Sequence, residues 1–142
     1  MTVNEIATSL ATTADTVRYY TRLGLVTPGK SGNGYKSYSK SDQSRLRFIL
    51  SARQLGFSVK DITQILQEAA HGKSACPLVR KIIKARLAET EKQFQDMLQL
   101  RKRMKSALKQ WDVMADKAPT SHMVCHLIEN VNSSDIGEVH DE

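Results

Sequence analysis

With 142 residues, the chain has room for one small domain and one long helix but leaves little scaffold for an enzyme pocket. Its formal net charge of +6 is unevenly placed, since residues 1–60 hold nine Lys/Arg against three Asp/Glu while the remainder holds twelve of each. A basic first half points to a polyanion, nucleic acid first; a membrane surface fits less well because no apolar face is matched to a basic stripe. Two cysteines do not make a disulfide framework, the opening MTVNEIATSL lacks the regions of a signal peptide, and no apolar run approaches membrane-spanning length. The expectation is a cytoplasmic protein whose reduced thiols are available as ligands or redox groups.

Four segments open with the Ser/Thr-x-x-Asp/Glu signature that satisfies the free N–H groups of a helix start: Thr2 with Glu5, Thr12 with Asp15, Ser39 with Asp42, and Ser58 with Asp61. The first helix carries Val3, Ile6, Ala7 and Leu10 on one face, and a tight turn leads to a second carrying Val17, Tyr20 and Leu23. Two short helices joined this closely read as a helix-turn-helix. The second exposes Thr13, Thr16, Arg18 and Tyr19, donors suited to base edges and phosphates, and Gly24 stops it.

From Val26 to Tyr38 the composition turns to Pro, Gly, Ser, Asn and Tyr, with Asn33-Gly34 as a tight-turn signal between two short extended runs. This is the pattern of a wing, a β-hairpin carrying Lys30, Tyr35, Lys36 and Tyr38 beside the second helix, and such residues hold phosphates without reading sequence. A third helix over about Lys40–Leu55 turns Leu46, Phe48, Ile49 and Ala52 inward, and a fourth over about Ser58–Ala70 carries Val59, Ile62, Ile65 and Leu66. After the polar connector His71–Ser74 comes one long helix, Cys76 to Trp111, with Pro77 at the first helical position and Cys76 as its N-cap.

Steps of four and three through Ile83, Leu87, Thr90, Phe94, Met97, Arg101, Met104, Leu108 and Trp111 meet an apolar residue at seven of nine positions, the spacing of a coiled-coil seam. So long a helix outruns the core of its own domain and needs a partner. A second copy in antiparallel two-fold pairing buries the same seam from both chains and brings Cys76 of one copy near the helix end of the other, beyond which lies Cys125.

The runs ADTVRYYTRLGLV, NGYKSYS and RLRFILSARQLGFSVKDI, followed by the long helix, resemble the MerR family of bacterial transcription regulators over nearly the whole chain. The resemblance implies a mostly α fold: an N-terminal winged helix-turn-helix over residues 1–72, a dimerisation helix over 73–115 forming an antiparallel coiled coil, a metal-binding loop with a short helix over 116–131, and a flexible tail over 132–142 that includes His140. It places Thr16, Arg18, Tyr19 and Tyr20 on the recognition helix and Tyr35, Lys36 and Tyr38 on the wing. Lys36 stands where many relatives have Arg, which keeps the charge but loses the bidentate fork. The implied action is that of a homodimer on double-stranded promoter DNA whose two polymerase recognition elements are set too far apart, with effector binding leading it to bend and untwist the DNA so that RNA polymerase engages both.

The C-terminal part resembles the metal-sensing branch. Cys76 matches the cysteine that zinc, cadmium and lead sensors use across the dimer, and Cys125, in HMVCHLIE, matches the last cysteine of their loop. Such sensors usually carry another cysteine where the helix gives way to the loop, and this sequence reads Asp112-Val113-Met114-Ala115-Asp116-Lys117 there. A replacement set is His122 and Cys125, three apart in the loop, with His126 adjacent and Cys76 from the other copy; Asp116 adds a carboxylate. Two sulfurs with one or two imidazoles suit a divalent ion, zinc first and cadmium or lead next, whereas copper(I) prefers the all-thiolate site that is absent. The alternative is a regulator of the same type that senses a thiol-reactive aldehyde or oxidant through Cys76 or Cys125. An enzyme built on a Cys/His pair is disfavoured by the basic head and coiled-coil layout.

Overall fold

The computed structural model of the protein describes residues 1–131; the expected tail over 132–142 lies outside them. Among these residues six helices and one two-stranded hairpin follow one another: α1 (Val3–Ser9), α2 (Ala14–Arg22), β1 (Gly29–Lys30), β2 (Lys36–Ser37), α3 (Lys40–Gln54), α4 (Val59–Ala70), α5 (Cys76–Trp111) and α6 (His126–Glu129). The chain divides into two compact units, Met1–Leu87 and one beginning at Ala88, so the division falls within α5.

In the first unit, capping fixes where helices begin. Thr2, Ser39 and Ser58 each accept from the backbone N–H three residues on, and Glu5, Asp42 and Asp61 reach back to the cap's own N–H. At α2 the expected box from Thr12 to Asp15 does not form. The cap is Thr13, whose hydroxyl accepts from Thr16 N at 3.1 Å, while Thr12 N turns back to Ala7 O at 3.0 Å. Ala11, at φ 55°, bends the chain so that Thr13 rather than Thr12 meets the free N–H groups.

The apolar faces of these helices close one core. Ile6, Val17, Val26, Leu46, Ile49 and Ile62 are almost fully buried, and Tyr20, Tyr38, Phe57 and Ile65 complete it. Leu23, expected on that face, is 44% exposed because α2 ends at Arg22, and Leu25 and Val26 enter the core in its place. The first turns of α5 belong to this core as well: Ile82 is buried in it, and Leu78, Val79 and Ile83 pack against it. Asp61 fixes that docking. The carboxylate that closes the Ser58 capping box also receives Arg86 of α5 at two points, Nε to Oδ2 at 2.8 Å and Nη2 to Oδ1 at 3.1 Å.

The hairpin is minimal, pairing Gly29 with Ser37 and Lys30 with Lys36 antiparallel. Its turn is closed by Ser31 N to Tyr35 O at 2.8 Å and Gly34 N to Ser31 O at 3.0 Å. Gly34 takes φ +83°, a conformation that L side chains rarely adopt, which is why the Asn-Gly signal holds here.

The long helix spans the interval read from the sequence, with one shift at its start. Val79 N bonds to Ala75 O at 2.9 Å, which makes Cys76 the first helical residue rather than the cap. In the second unit the helix is exposed throughout 88–102. Beyond Trp111 the chain runs through loop to an antiparallel bridge between Thr120 and Met123 and then to α6. Glu129 folds back to accept from Val124 N and Cys125 N at 2.8 and 2.6 Å, closing that short helix on itself.

Candidate functional site

The surface of the first unit that carries the expected nucleic-acid contacts is built by α2, the start of α1 and the hairpin. An open concavity of about 710 Å³ is lined by Arg18, Asn33, Tyr35, Lys36 and Tyr38 together with Thr2 and Asn4. Lys30 and Lys36, as cross-strand partners, project from the same face of the hairpin. Like charges placed directly opposite repel one another, so this pairing is stable beside an anion such as a phosphate. Tyr35 is 73% exposed at the hairpin tip.

On α2, Arg18 is exposed and its Nη1 donates to Asp15 Oδ1 at 3.0 Å, an exposed pair that leaves the other guanidinium N–H groups for a ligand. Tyr19, half-exposed, rests edge-on against Tyr20 with ring centroids 5.1 Å apart. Thr13 and Thr16 are occupied with each other: their hydroxyls lie 2.8 Å apart in the cap of α2.

Two residues assigned to DNA contact turn inward. Tyr20 falls on the apolar stripe of α2 with Val17 and is buried, so it supports Tyr19 instead of reaching a ligand itself. Tyr38 is 2% exposed, and its hydroxyl lies 2.8 Å from Thr21 Oγ1. Only an edge of it lines the concavity. What the sequence left unread is the long-range partner: Thr21 for Tyr38, and Arg86 for Asp61, whose carboxyl the Arg86 guanidinium holds below its ordinary value. The Ser58-Asp61 box was legible, but a partner 25 residues further on leaves no local pattern.

The side chains expected to hold an effector lie in different units. Cys76, in the first, is exposed at the start of α5 beside an apolar cleft of about 420 Å³ formed by Phe48, Ile65, Leu66, Ala69 and Val79. In the second, His122 is exposed and Cys125 is half-buried. His126 is 4% exposed and fully engaged at one end, with Nε2 2.8 Å from Ala115 O. A carbonyl only accepts, so Nε2 is the donor here, and in the neutral ring Nδ1 is the atom that keeps a lone pair. An imidazole whose second nitrogen donates to a backbone carbonyl is the arrangement in which metal-ligating histidines are usually held. Among the described residues, no three His, Cys, Asp or Glu side chains of one chain come together as a metal cluster. No described helix is long and apolar enough to cross a membrane.

Comparisons with known proteins agree with this layout. Residues 1–69 match the family model described as MerR HTH family regulatory protein, and residues 43–107 match the model described as MerR, DNA binding. The HTH-type transcriptional regulator HmrR of Rhizobium leguminosarum is 33% identical over 102 residues, which covers 72% of this chain and 79% of that one. A probable heavy metal-dependent transcriptional regulator of Haemophilus influenzae is 30% identical over 112 residues, 78% of this chain and 84% of that one. In fold, the chain is similar to the transcription regulator PbrR691 of Ralstonia metallidurans in complex with lead(II), with a TM-score of 0.69 at 21% identity over 92% of this chain and 99% of that one. A winged helix-turn-helix head, a long helix leading out of it and these matches together make the chain a member of the MerR family of transcriptional regulators, and not an enzyme.

Proposed function

We propose that the protein is a dimeric, metal-responsive activator that binds double-stranded promoter DNA through its two heads and, on binding a divalent ion, bends and untwists an over-long spacer so that RNA polymerase engages both elements. The observation that carries the dimer is the bare seam: Leu87, Phe94, Met97, Met104 and Leu108 are each more than half exposed. A soluble helix with so continuous an apolar stripe is stable when a like stripe covers it. DNA binding rests on the concavity that gathers Arg18, Tyr35 and Lys36, with Lys30 on the adjoining strand.

The metal reading rests on donor chemistry. Cys76 of one copy with Cys125, His122 and His126 of the other supplies two thiolates and up to two imidazoles, the set that zinc takes and that cadmium or lead also accepts. The His126–Ala115 contact suits that role, and the heavy-metal names of the relatives support it. An ion held by these residues would link one copy to the other. This chain's residues contribute its charge and orientation, and the DNA-binding heads do the deforming.

Anaerobic titration of the reduced protein with zinc, cadmium and lead, followed by thiolate charge-transfer absorption, tests this reading. Tight binding that is lost in Cys125→Ser supports it; no binding tighter than micromolar removes the metal. A second reading then gains ground, because Cys76 is an exposed thiol beside an apolar cleft. A regulator of that kind senses a thiol-reactive aldehyde or oxidant, and its signature is rapid, selective alkylation of Cys76 in the absence of metal.

A further inference from the structure

We propose that Tyr38 is a positioning residue for DNA binding, one whose side-chain hydrogen bond to Thr21 sets the angle of the wing against the recognition helix and which touches no nucleic acid itself. The inference rests on the DNA-binding reading above and adds how the wing is held. Tyr38 directly follows β2 and directly precedes Ser39, the cap of α3. Its ring lies in the core, 2% exposed. The direction of its hydroxyl contact follows from proton count: Thr21 has one hydroxyl proton and donates it to Val17 O at 2.9 Å, so at the 2.8 Å contact Thr21 accepts and Tyr38 donates.

The wing needs such an anchor. A hairpin of two residue pairs has no independent stability, so its orientation comes from the core at its base. The incoming leg is held by burial of Leu25 and Val26, and Arg45 Nε donates to Leu25 O at 2.5 Å. The outgoing leg is held by Tyr38, whose N–H donates to Met1 O at 2.7 Å and whose carbonyl accepts from the Met1 ammonium at 2.8 Å, while its hydroxyl makes the leg's tie to α2. Burial alone fixes a ring's depth and permits rotation, whereas a hydrogen bond also fixes direction. Thr21 lies on the last turn of the helix that carries Arg18 and Tyr19, so the bond ties Lys30, Lys36 and Tyr35 to the frame of α2. Phosphate contacts from the two elements then fall in register along one backbone.

The test uses the full-length protein and a random-sequence duplex, because phosphate contacts are read by salt dependence without knowledge of the operator. Each phosphate contact contributes about 0.9 to the slope of log K against log salt. Tyr38→Phe is expected to lower the slope by about 1 to 2 and the affinity near 0.1 M salt by roughly tenfold for each phosphate that is no longer held. Tyr38→Phe combined with Thr21→Val removes both hydroxyls and strands neither, so its thermal stability returns toward that of the parent while the slope stays low. An unchanged slope in Tyr38→Phe overturns the inference. A slope that recovers in the double variant together with stability overturns it too, because the bond then serves only the fold. If the parent protein itself shows no salt-dependent binding, the DNA-binding reading fails, and that outcome is separate from either of these.

Discussion

Ala11 is the one described non-glycine residue with positive φ, 55°, and it sits in the turn of the helix-turn-helix. The left-handed region costs an L residue with a Cβ about 1–2 kcal/mol, while a glycine's extra freedom in the unfolded chain costs about 0.4–1 kcal/mol, so the strain outweighs the entropy. Ala11→Gly is therefore expected to stabilise the protein by about 0.5–1 kcal/mol. Denaturant unfolding measures it, and a loss of stability would mean that the turn is held by more than its backbone. Asp61 makes a larger and pH-dependent contribution. Arg86 first, and the Ser58 backbone and hydroxyl after it, hold its folded pKa below the ordinary 3.8, against the opposing effect of burial. A carboxylate with a depressed folded pKa stabilises the fold fully above its unfolded value and loses that contribution as pH falls through the folded one. Asp61→Asn is expected to cost about 2 kcal/mol at neutral pH, the scale of hydrogen bonds to charged groups. The gap between variant and parent should close below pH 3.8. A gap that persists undiminished in acid would show that packing, not charge, holds α5 on α4.

At the scale of elements, α5 is the decisive piece. Its 36 residues extend about 54 Å at 1.5 Å per residue, and only its first turns reach the head's core. Phe94 and Met97 lie side by side in the exposed seam, each worth about 1.5–3 kcal/mol when fully covered. Met97→Lys places a cation in that seam in both copies. The expected outcome by sedimentation is dissociation, with dimer affinity weakened at least about 100-fold, while the helical content of the head is retained. An intact dimer would point to a different face. Helix α5 was legible in the sequence because a heptad pattern from Ile83 to Trp111, with no Gly or Pro after Pro77, admits one interpretation. The cap of α2 was misplaced by one residue because Thr12 and Thr13 both offer a hydroxyl, and the choice depends on the Ala11 turn, which propensity does not encode. Tyr38 was assigned to the wing's contacts, and Tyr20, though read on the face of Val17, was also listed for DNA contact, for a related reason: tyrosine suits both a phosphate and a core, and only packing distinguishes the two.

For the whole molecule, the open matter is which chain supplies which ligand. Cys76 and Cys125 were readable as the two thiols, and the antiparallel seam as the reason to expect them from different copies. Mixing two inactive variants distinguishes the arrangements. In a heterodimer of Cys76→Ser with Cys125→Ser, a cross-dimer site pairs the intact Cys76 of one chain with the intact Cys125 of the other, and the opposite site loses both thiols. Half the sites are restored with full affinity. If each site draws both thiols from one chain, every site in the heterodimer lacks one, and mixing restores nothing. Tagged co-purification of the heterodimer followed by cadmium titration reads the stoichiometry directly. Recovery of half the thiolate charge-transfer intensity, with neither homodimer contributing, establishes the cross-dimer site. No recovery overturns the cross-dimer site and leaves each site drawing its thiols from one chain.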